Sequence, residues 1–215
     1  DYGYASNNNC TGKNQAYNGR EDTVRAAQLI KSAGMCLLLD FHYSDTWADP
    51  GKQLVPEAWR DVDNIEMLAE KVHNYTADVL ESLRQVDALP DIVQIGNETT
   101  PGMLRDIPSD SSDCYGNNAT RSTGPTGEAS NANWPNLARL LKAGINAVRL
   151  VDPSIKTMLH LESTGRPNDV IWWVQSALNN VLLYTSDAAD EQPCIDLGVR
   201  TIHKQNKYNN QSRDT

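Results

Sequence analysis

The chain has 215 residues and carries 19 Lys and Arg side chains against 28 Asp and Glu, which gives a formal net charge of −9 at pH 7. This acidic balance makes nucleic acid and anionic membranes poor candidates for partners, because both attract basic surfaces. No apolar run approaches the ~20 residues of a membrane-spanning helix, and the first residues do not resemble a secretory signal. We therefore expect an ordinary globular domain.

Amphipathic helices alternate with short apolar strands in the first half of the chain. An apolar helical spacing over residues 26–33 ends at Gly34, and the run 35–39 predicts a strand that is covered on both faces. A second helix is predicted to begin with a capping box of Asp63 and Glu66. Its expected buried stripe consists of Ile65, Leu68, Ala69, Val72, Val79, Leu80 and Leu83.

The same alternation continues in the second half. Residues 91–96 predict another strand, and a third helix has Pro135 in its first turn and Pro153 beyond its last. Residues 156–161 then predict a strand, and a further helix is expected around 170–178. Strands that alternate with helices at this spacing indicate βαβ units around a parallel sheet.

Polar residues follow three of these strands, at Asp40-Phe41-His42, Asn97-Glu98 and His160-Leu161-Glu162. A doubly wound sheet and a closed barrel both satisfy the alternation, but only in a barrel do all strand ends meet in one ring. No glycine-rich phosphate loop follows any strand, which argues against nucleotide binding. The fold class expected is α/β, a (β/α)₈ TIM barrel that is partial because a full one needs about 250 residues.

Glu98 is the first candidate for chemistry, because it follows an apolar strand and Gly96 and would stand at the rim of the barrel floor. The alternative is a solvated loop glutamate. Asn97 beside it has the groups to hold a sugar hydroxyl, and His42 and His160 could bind substrate or orient a carboxylate. They could equally be hydrogen-bonded histidines of the interior. Without a third ligand at suitable spacing, no metal site is expected.

Tryptophans are candidates for sugar stacking. Trp47 and Trp59 flank the loop after the first predicted strand, although packing explains Trp59 equally well. Trp172 and Trp173 lie on a predicted helix and are assigned to packing. Cys10 and Cys114 lie in loop-like sequence, where a disulfide is one option.

Between residues 40 and 53 the sequence reads DFHYSDTWADPGKQ, and it closely resembles the signature of glycoside hydrolase family 53, the endo-β-1,4-galactanases. The resemblance continues at 58–59 (AW), 95–98 (IGNE), 102–104 (GML) and 160–161 (HL), and covers roughly residues 19–180. It implies a (β/α)₈ barrel, of which this chain holds about the third to fifth strands. It also implies a secreted, extracellular, monomeric enzyme that cleaves β-1,4-galactan in arabinogalactan by a retaining mechanism without a cofactor.

The resemblance also implies roles for residues. Glu98 would be the catalytic acid/base, Asn97 would contact the hydroxyl next to the reacting carbon, and His42 would line the same subsite. Asp45 and Trp47 would form part of the sugar-binding wall, and His160 joins the expected substrate-binding residues as a strand-end side chain.

Two positions depart from the family's pattern, with Arg105 in place of the usual Trp and Glu162 in place of the usual Asp. The first puts an aromatic platform in doubt, and the second puts one substrate contact in doubt. The family's nucleophile, a Glu on the seventh strand, lies beyond this chain, so the 215-residue chain is expected to be inactive.

From about residue 181 the resemblance stops, and residues 182–191 and 195–202 resemble a translated sequencing adapter. We therefore expect a barrel domain over 1–180 and a non-native tail over 181–215, the alternative being a genuine acidic tail rich in Asn and Gln. Two alternatives to the galactanase assignment stay open. One is a related barrel enzyme that acts on mannan, and the other is a non-catalytic sugar-binding barrel.

Overall fold

The computed structural model describes residues 18–62, 64–107, 119–120, 134–162 and 165–182, all within the compact unit Asp1–Tyr184. The helices are α1 (Arg20–Ser32), α2 (Ile65–Arg84), α3 (Trp134–Val151) and α4 (Pro167–Ala177), and the longer strands are β1 (Leu38–Phe41), β2 (Ile92–Ile95) and β5 (Lys156–Met158). Strands β3 (Asp106–Ile107) and β4 (Ala119–Thr120) have two residues each. A 3₁₀ turn spans Glu57–Trp59 and a π-helical turn spans Leu178–Leu182.

Strands β1, β2 and β5 form a parallel sheet in that order. Along the chain α2 lies between β1 and β2, and α3 lies between β2 and β5, as the sequence predicts. The register pairs Asp40 with Gln94, and Gln94 with Met158. The carboxyl ends of these strands therefore lie at one edge of the sheet. The short strands β3 and β4 pair antiparallel, which the sequence did not indicate.

Helices α2 and α3 pack on each other and supply more of the apolar core than the other helices and strands described. The predicted stripe of α2 is buried except for Ile65, which is half-buried, and the buried Thr76 joins it. The indole of Trp134, at the start of α3, meets the ring of Trp173 on α4 edge to face, with centroids 5.0 Å apart. The assignment of Trp173 to packing is confirmed.

The start of β1 and the buried face of α1 differ from the prediction. The N–H of Met35 donates to the carbonyl of Ile30, so Met35 completes the end of α1 and the strand begins only at Leu38. Coverage on both faces is also wrong, since Leu38 is 45% exposed. On α1 the buried residue is Ala27, whereas Leu29 is 73% exposed because it lies on the opposite face.

The N-cap of α2 is Asn64, not the predicted box of Asp63 and Glu66. The Asn64 side chain accepts the backbone N–H groups of Glu66 at 2.8 Å and Met67 at 3.3 Å. Asn64 has the extended backbone that an N-cap requires, so the cap forms one residue later than predicted. Asp63 lies outside the described residues, as do Cys10, Cys114 and the stretches 108–118, 121–133 and 183–215.

Gly144 lets α3 approach β2 closely, and its substitution tests this packing. A methyl group at Gly144 would lie 2.7 Å from Cγ2 of Ile95 and 3.0 Å from the Tyr43 hydroxyl. Such overpacking costs about 1–3 kcal/mol. Alanine gains at most about 1 kcal/mol over glycine as a helix former. We expect Gly144→Ala to lower the free energy of unfolding, measured by urea denaturation.

Gly165→Ala is the matched control, because a methyl group there would meet nothing within 4 Å. Its free energy of unfolding should stay within about 0.5 kcal/mol of the wild type. A Gly144→Ala variant as stable as Gly165→Ala would show that α3 does not approach β2 so closely.

Candidate active site

Hydrogen bonds join the carboxyl ends of the three parallel strands and the segments that follow them. At the end of β1 and β2, Nε2 of Gln94 donates to Oδ1 of Asp40 at 2.6 Å. Beyond β2 and β5, the N–H of Thr99 donates to the carbonyl of His160 at 3.0 Å. The structure thus brings the polar residues after all three strands to one place.

The ring of His42 is held at both nitrogens. Its Nδ1 accepts the backbone N–H of Ala48 at 3.0 Å, so in the neutral ring the hydrogen resides on Nε2. That Nε2 lies 3.1 Å from Oδ2 of Asp40. The carboxylate therefore fixes both the tautomer and the ring orientation, as carboxylate partners of histidine commonly do.

Asn97 is held just as tightly and connects β2 to β5. Its Nδ2 donates to the carbonyl of Ala48 at 2.8 Å, and its Oδ1 accepts from Nε2 of Gln94 at 3.2 Å. The same Oδ1 lies 2.6 Å from Nδ1 of His160. Because an amide oxygen only accepts, the hydrogen of His160 in this contact resides on Nδ1.

These contacts close a loop of hydrogen bonds, here called the polar ring, which consists of Ala48, His42, Asp40, Gln94 and Asn97. The backbone of Ala48 makes two of its hydrogen bonds: the N–H donates to His42, and the C=O accepts from Asn97. The polar ring holds side chains from the ends of two strands and the loop after β1 in one geometry.

A cavity of about 350 Å³ lies beside β1 and is lined by His42, Asp45 and Trp47 among others. The Trp47 side chain is 69% exposed, so an aromatic face is open to a ligand. Asn97, Glu98 and His160 do not line this cavity. The predicted site residues thus form two groups, with His42 common to the cavity and the polar ring.

Asp45 is partly buried in the wall of this cavity. Burial raises the pKa of its carboxyl above the usual 3.8, and the negative charge of Glu57 adds to the effect. The backbone N–H of Glu57 donates to Oδ2 of Asp45 at 2.8 Å and opposes the rise in pKa. Asp45 therefore joins the loop after β1 to the 3₁₀ turn.

Glu98 adopts a backbone conformation that glutamate rarely takes. Its φ is +49°, in the left-handed region, and the side chain is half-buried. Such a conformation costs roughly 1–3 kcal/mol and is concentrated at functional sites. Gly96 nearby has φ +75°, and a methyl group there would lie 2.5 Å from Cγ2 of Thr99. The chain turns sharply on either side of Asn97 to present these residues.

An aromatic cluster supports the loop after β1. The Tyr43 ring stacks on Phe41 with centroids 5.4 Å apart, and the Tyr43 hydroxyl lies 2.8 Å from Oγ1 of Thr76. Burial raises the pKa of Tyr43 far above its usual value, so it remains a neutral hydroxyl. Trp59 is buried and meets Tyr75 edge to face, which favours the packing interpretation of Trp59 over sugar stacking.

Sequence reasoning missed two buried amides, Gln94 and Gln53, and a buried carboxylate, Asp106. Gln94 had a visible signal, because it interrupts an otherwise apolar strand. Arg105, where an aromatic platform was in doubt, places its guanidinium against both oxygens of Asp106, at 2.9 and 3.1 Å.

In the described ranges, no three His, Cys, Asp or Glu side chains cluster closely enough to hold a metal ion. Among the helices that the structure describes, none combines the length and apolar character needed to cross a membrane. The expectation of no metal and no cofactor stays a prediction.

Comparison with known proteins shows similarity to one family. The model of glycosyl hydrolase family 53 matches residues 2–186. An arabinogalactan endo-β-1,4-galactanase of Cellvibrio japonicus is 36% identical over 168 residues, which are 76% of this chain and 39% of that protein. An uncharacterized protein of Niallia circulans is 46% identical over 145 residues, 67% of this chain and 36% of that protein. The chain therefore spans less than half the length of these relatives.

A solved structure shows the same similarity. The family 53 catalytic domain of Ignisphaera aggregans superimposes with a TM-score of 0.61 at 34% identity, covering 77% of this chain and 41% of that domain. Together with the parallel sheet and its flanking helices, this confirms the predicted partial (β/α) barrel.

Asp45→Asn tests the effect of burial on stability. Because the pKa of Asp45 is raised, the folded chain binds more protons than the unfolded chain between the usual and the raised value. Stability from this group is therefore lost as pH rises through that window. We expect urea denaturation to show that Asp45→Asn becomes more stable relative to the wild type as the pH rises above 3.8. Exposed Asp61→Asn is the control, and an equal pH trend in both variants would contradict the prediction.

Substitutions of Glu98 test its left-handed backbone. Glycine pays no steric cost at positive φ, whereas any side chain costs roughly 1–2 kcal/mol. We expect Glu98→Gly to unfold at higher urea than Glu98→Ala. At the exposed helical position Glu70 the order should reverse, since glycine weakens a helix by about 0.5–1 kcal/mol relative to alanine. The same order at both positions would mean that Glu98 is not held at positive φ.

Proposed function

Because the chain belongs to glycosyl hydrolase family 53, we propose that the protein hydrolyses internal β-1,4-galactosidic linkages of galactan and arabinogalactan, with Glu98 as acid and then base. The observation that supports this most is the placement of Glu98. It directly follows Asn97 of the polar ring, at the carboxyl ends of parallel strands, in a strained backbone. Carboxyl ends of barrel strands are where such enzymes carry their catalytic groups.

Retention of configuration requires two carboxyl groups about 5–5.5 Å apart. In the proposed reaction Glu98 gives its proton to the leaving glycosidic oxygen while a carboxylate attacks the anomeric carbon. The resulting glycosyl ester is then cleaved by water, from which Glu98 takes a proton. Asp40 is an unsuitable nucleophile, because Gln94 and His42 contact its two oxygens. We propose that the nucleophile is a Glu of the parent protein outside this chain.

We propose sugar-binding roles for the residues around Glu98. Asn97, immobilised by the polar ring, would contact the hydroxyl adjacent to the reacting carbon. With its hydrogen on Nδ1, neutral His160 offers Nε2 as an acceptor for a sugar hydroxyl. In the cavity, Asp45 would bind a sugar hydroxyl and exposed Trp47 would cover the apolar face of a sugar ring. His42, whose two ring nitrogens are already hydrogen-bonded, would line the same subsite.

Several finer properties belong to the same proposal. A polymeric substrate favours a secreted, extracellular enzyme, and we propose a monomer that uses no cofactor and binds neither nucleic acid nor membrane. We also propose that the chain is a fragment, with a barrel segment over 1–180 and translated adapter sequence over 181–215. Sequencing an independent clone across residue 181 tests the boundary, and the same codons in a genomic context would refute it.

Activity is best tested in a chimera, since the 215-residue chain should release no reducing ends from galactan. In the chimera, residues 19–180 replace the matching segment of the Cellvibrio japonicus relative. We expect it to release reducing ends from β-1,4-galactan and far fewer from mannan. Glu98→Gln should lower this rate by at least about 10²–10⁴-fold, the usual contribution of a general acid.

Glu70→Gln, on the exposed face of α2, is the matched control and should leave the rate unchanged. A chimera indifferent to Glu98→Gln would refute the acid role. Preference for mannan would instead favour the related glycosidase. Sugar binding without turnover would favour the non-catalytic barrel. Reducing ends released by the 215-residue chain itself, above its Glu98→Gln variant, would show that the nucleophile is not missing.

A further inference from the structure

We propose that Gln53 is a positioning residue that holds the backbone of Asn97 and Glu98 in the conformation needed for catalysis; its catalytic meaning rests on the proposed function of Glu98. Gln53 lies in the loop after β1 and is 2% exposed. Its side chain reaches across the site to the end of β2, where it contacts backbone and not the reacting carboxyl.

The contacts of its amide define the constraint. Nε2 of Gln53 donates to the carbonyl of Asn97 at 2.9 Å and lies 3.3 Å from that of Glu98 and 3.2 Å from that of Asp49. Consecutive carbonyls of an extended chain point to opposite sides. If Glu98 relaxed from φ +49° to an extended backbone, Nε2 of Gln53 would therefore keep its contact with only one of the carbonyls of Asn97 and Glu98.

Gln53 is itself anchored to a third segment. Its backbone N–H donates to Oδ2 of buried Asp106 at 2.8 Å, and its carbonyl accepts the N–H groups of Arg105 and Asp106, each at 2.9 Å. The guanidinium of Arg105 contacts both oxygens of Asp106. Arg105, which departs from the family's pattern, thus supports the anchor of Gln53.

The chemistry of the side chain fits positioning and not proton transfer. A neutral amide neither gives up nor gains a proton near neutral pH, and this one is buried. Its NH₂ group supplies the donors that satisfy backbone carbonyls on the strained turn. Replacing those donors should therefore change the backbone geometry at Glu98.

NMR of the full 215-residue chain tests this directly. A strong intraresidue HN–Hα NOE marks a positive φ, and Glu98 should show it in the wild type. Gln53→Met, which keeps the volume but lacks donors, should abolish it at Glu98. Asp87, with φ +54° and away from this contact, should retain the signal as an internal reference. Gln28→Met, on the exposed surface of α1, should change neither residue.

Gln53→Glu provides a conservative rescue. At neutral pH a carboxylate has no hydrogen to donate, so the positive-φ signal of Glu98 should be lost. At a pH low enough to protonate the new carboxyl, its O–H can donate to the carbonyl of Asn97, and the signal should return. Gln53→Met should not recover at the same pH. A signal that survives in Gln53→Met, or fails to return in protonated Gln53→Glu, overturns the proposal.

Adding β-1,4-galactotriose to the wild-type chain separates the two proposals. Shifts of the Asn97 and Glu98 amides support the sugar site, and their absence counts against the proposed function. The dependence of the Glu98 backbone on Gln53 is measured without sugar, so it stands or fails independently.

Discussion

A buried amide needs partners for its donors, and Gln94 finds them in Asp40 and Asn97. Gln94 is 4% exposed in the centre of an apolar strand, where each unmet donor would cost about 1–3 kcal/mol. Satisfying that demand brings the Asp40 carboxylate of β1 and the Asn97 amide after β2 together. The orientations of His42 and His160 follow, because each ring contacts a group that Gln94 has already fixed.

Packing of the apolar core places these polar groups at the same edge of the sheet. Parallel register sets Asp40 opposite Gln94, while Ile95 points the other way, towards α3. Close approach at Gly144 and the hydroxyl contact of Tyr43 with α2 fix the depth of the helices against the strands. The site geometry is therefore a consequence of the helix packing. Aromatic contacts and the hydrogen bonds of Gln53 hold the loop after β1 against it.

Periodicity predicted α2 and α3 well, because their apolar residues repeat over many turns and face a large core. It failed where one or two local contacts decide the outcome. Asn64 caps α2 because its backbone is extended, and β1 starts late because Met35 completes α1. The strained backbone of Glu98 was also beyond prediction, since a glutamate gives no sequence signal for a positive φ, and only Gly96 hinted at a turn.

Ala48 occupies an unusual place in the polar ring, because it participates only through its main chain. Substitution of Ala48 by another residue would leave the hydrogen bonds of the polar ring unchanged, provided that the new side chain fits. Space is tight there, because Ala48 is 2% exposed. Proline is the exception, since it lacks the hydrogen that His42 accepts. An alignment that scores side chains alone would thus give Ala48 little weight, although its backbone hydrogen-bonds both His42 and Asn97.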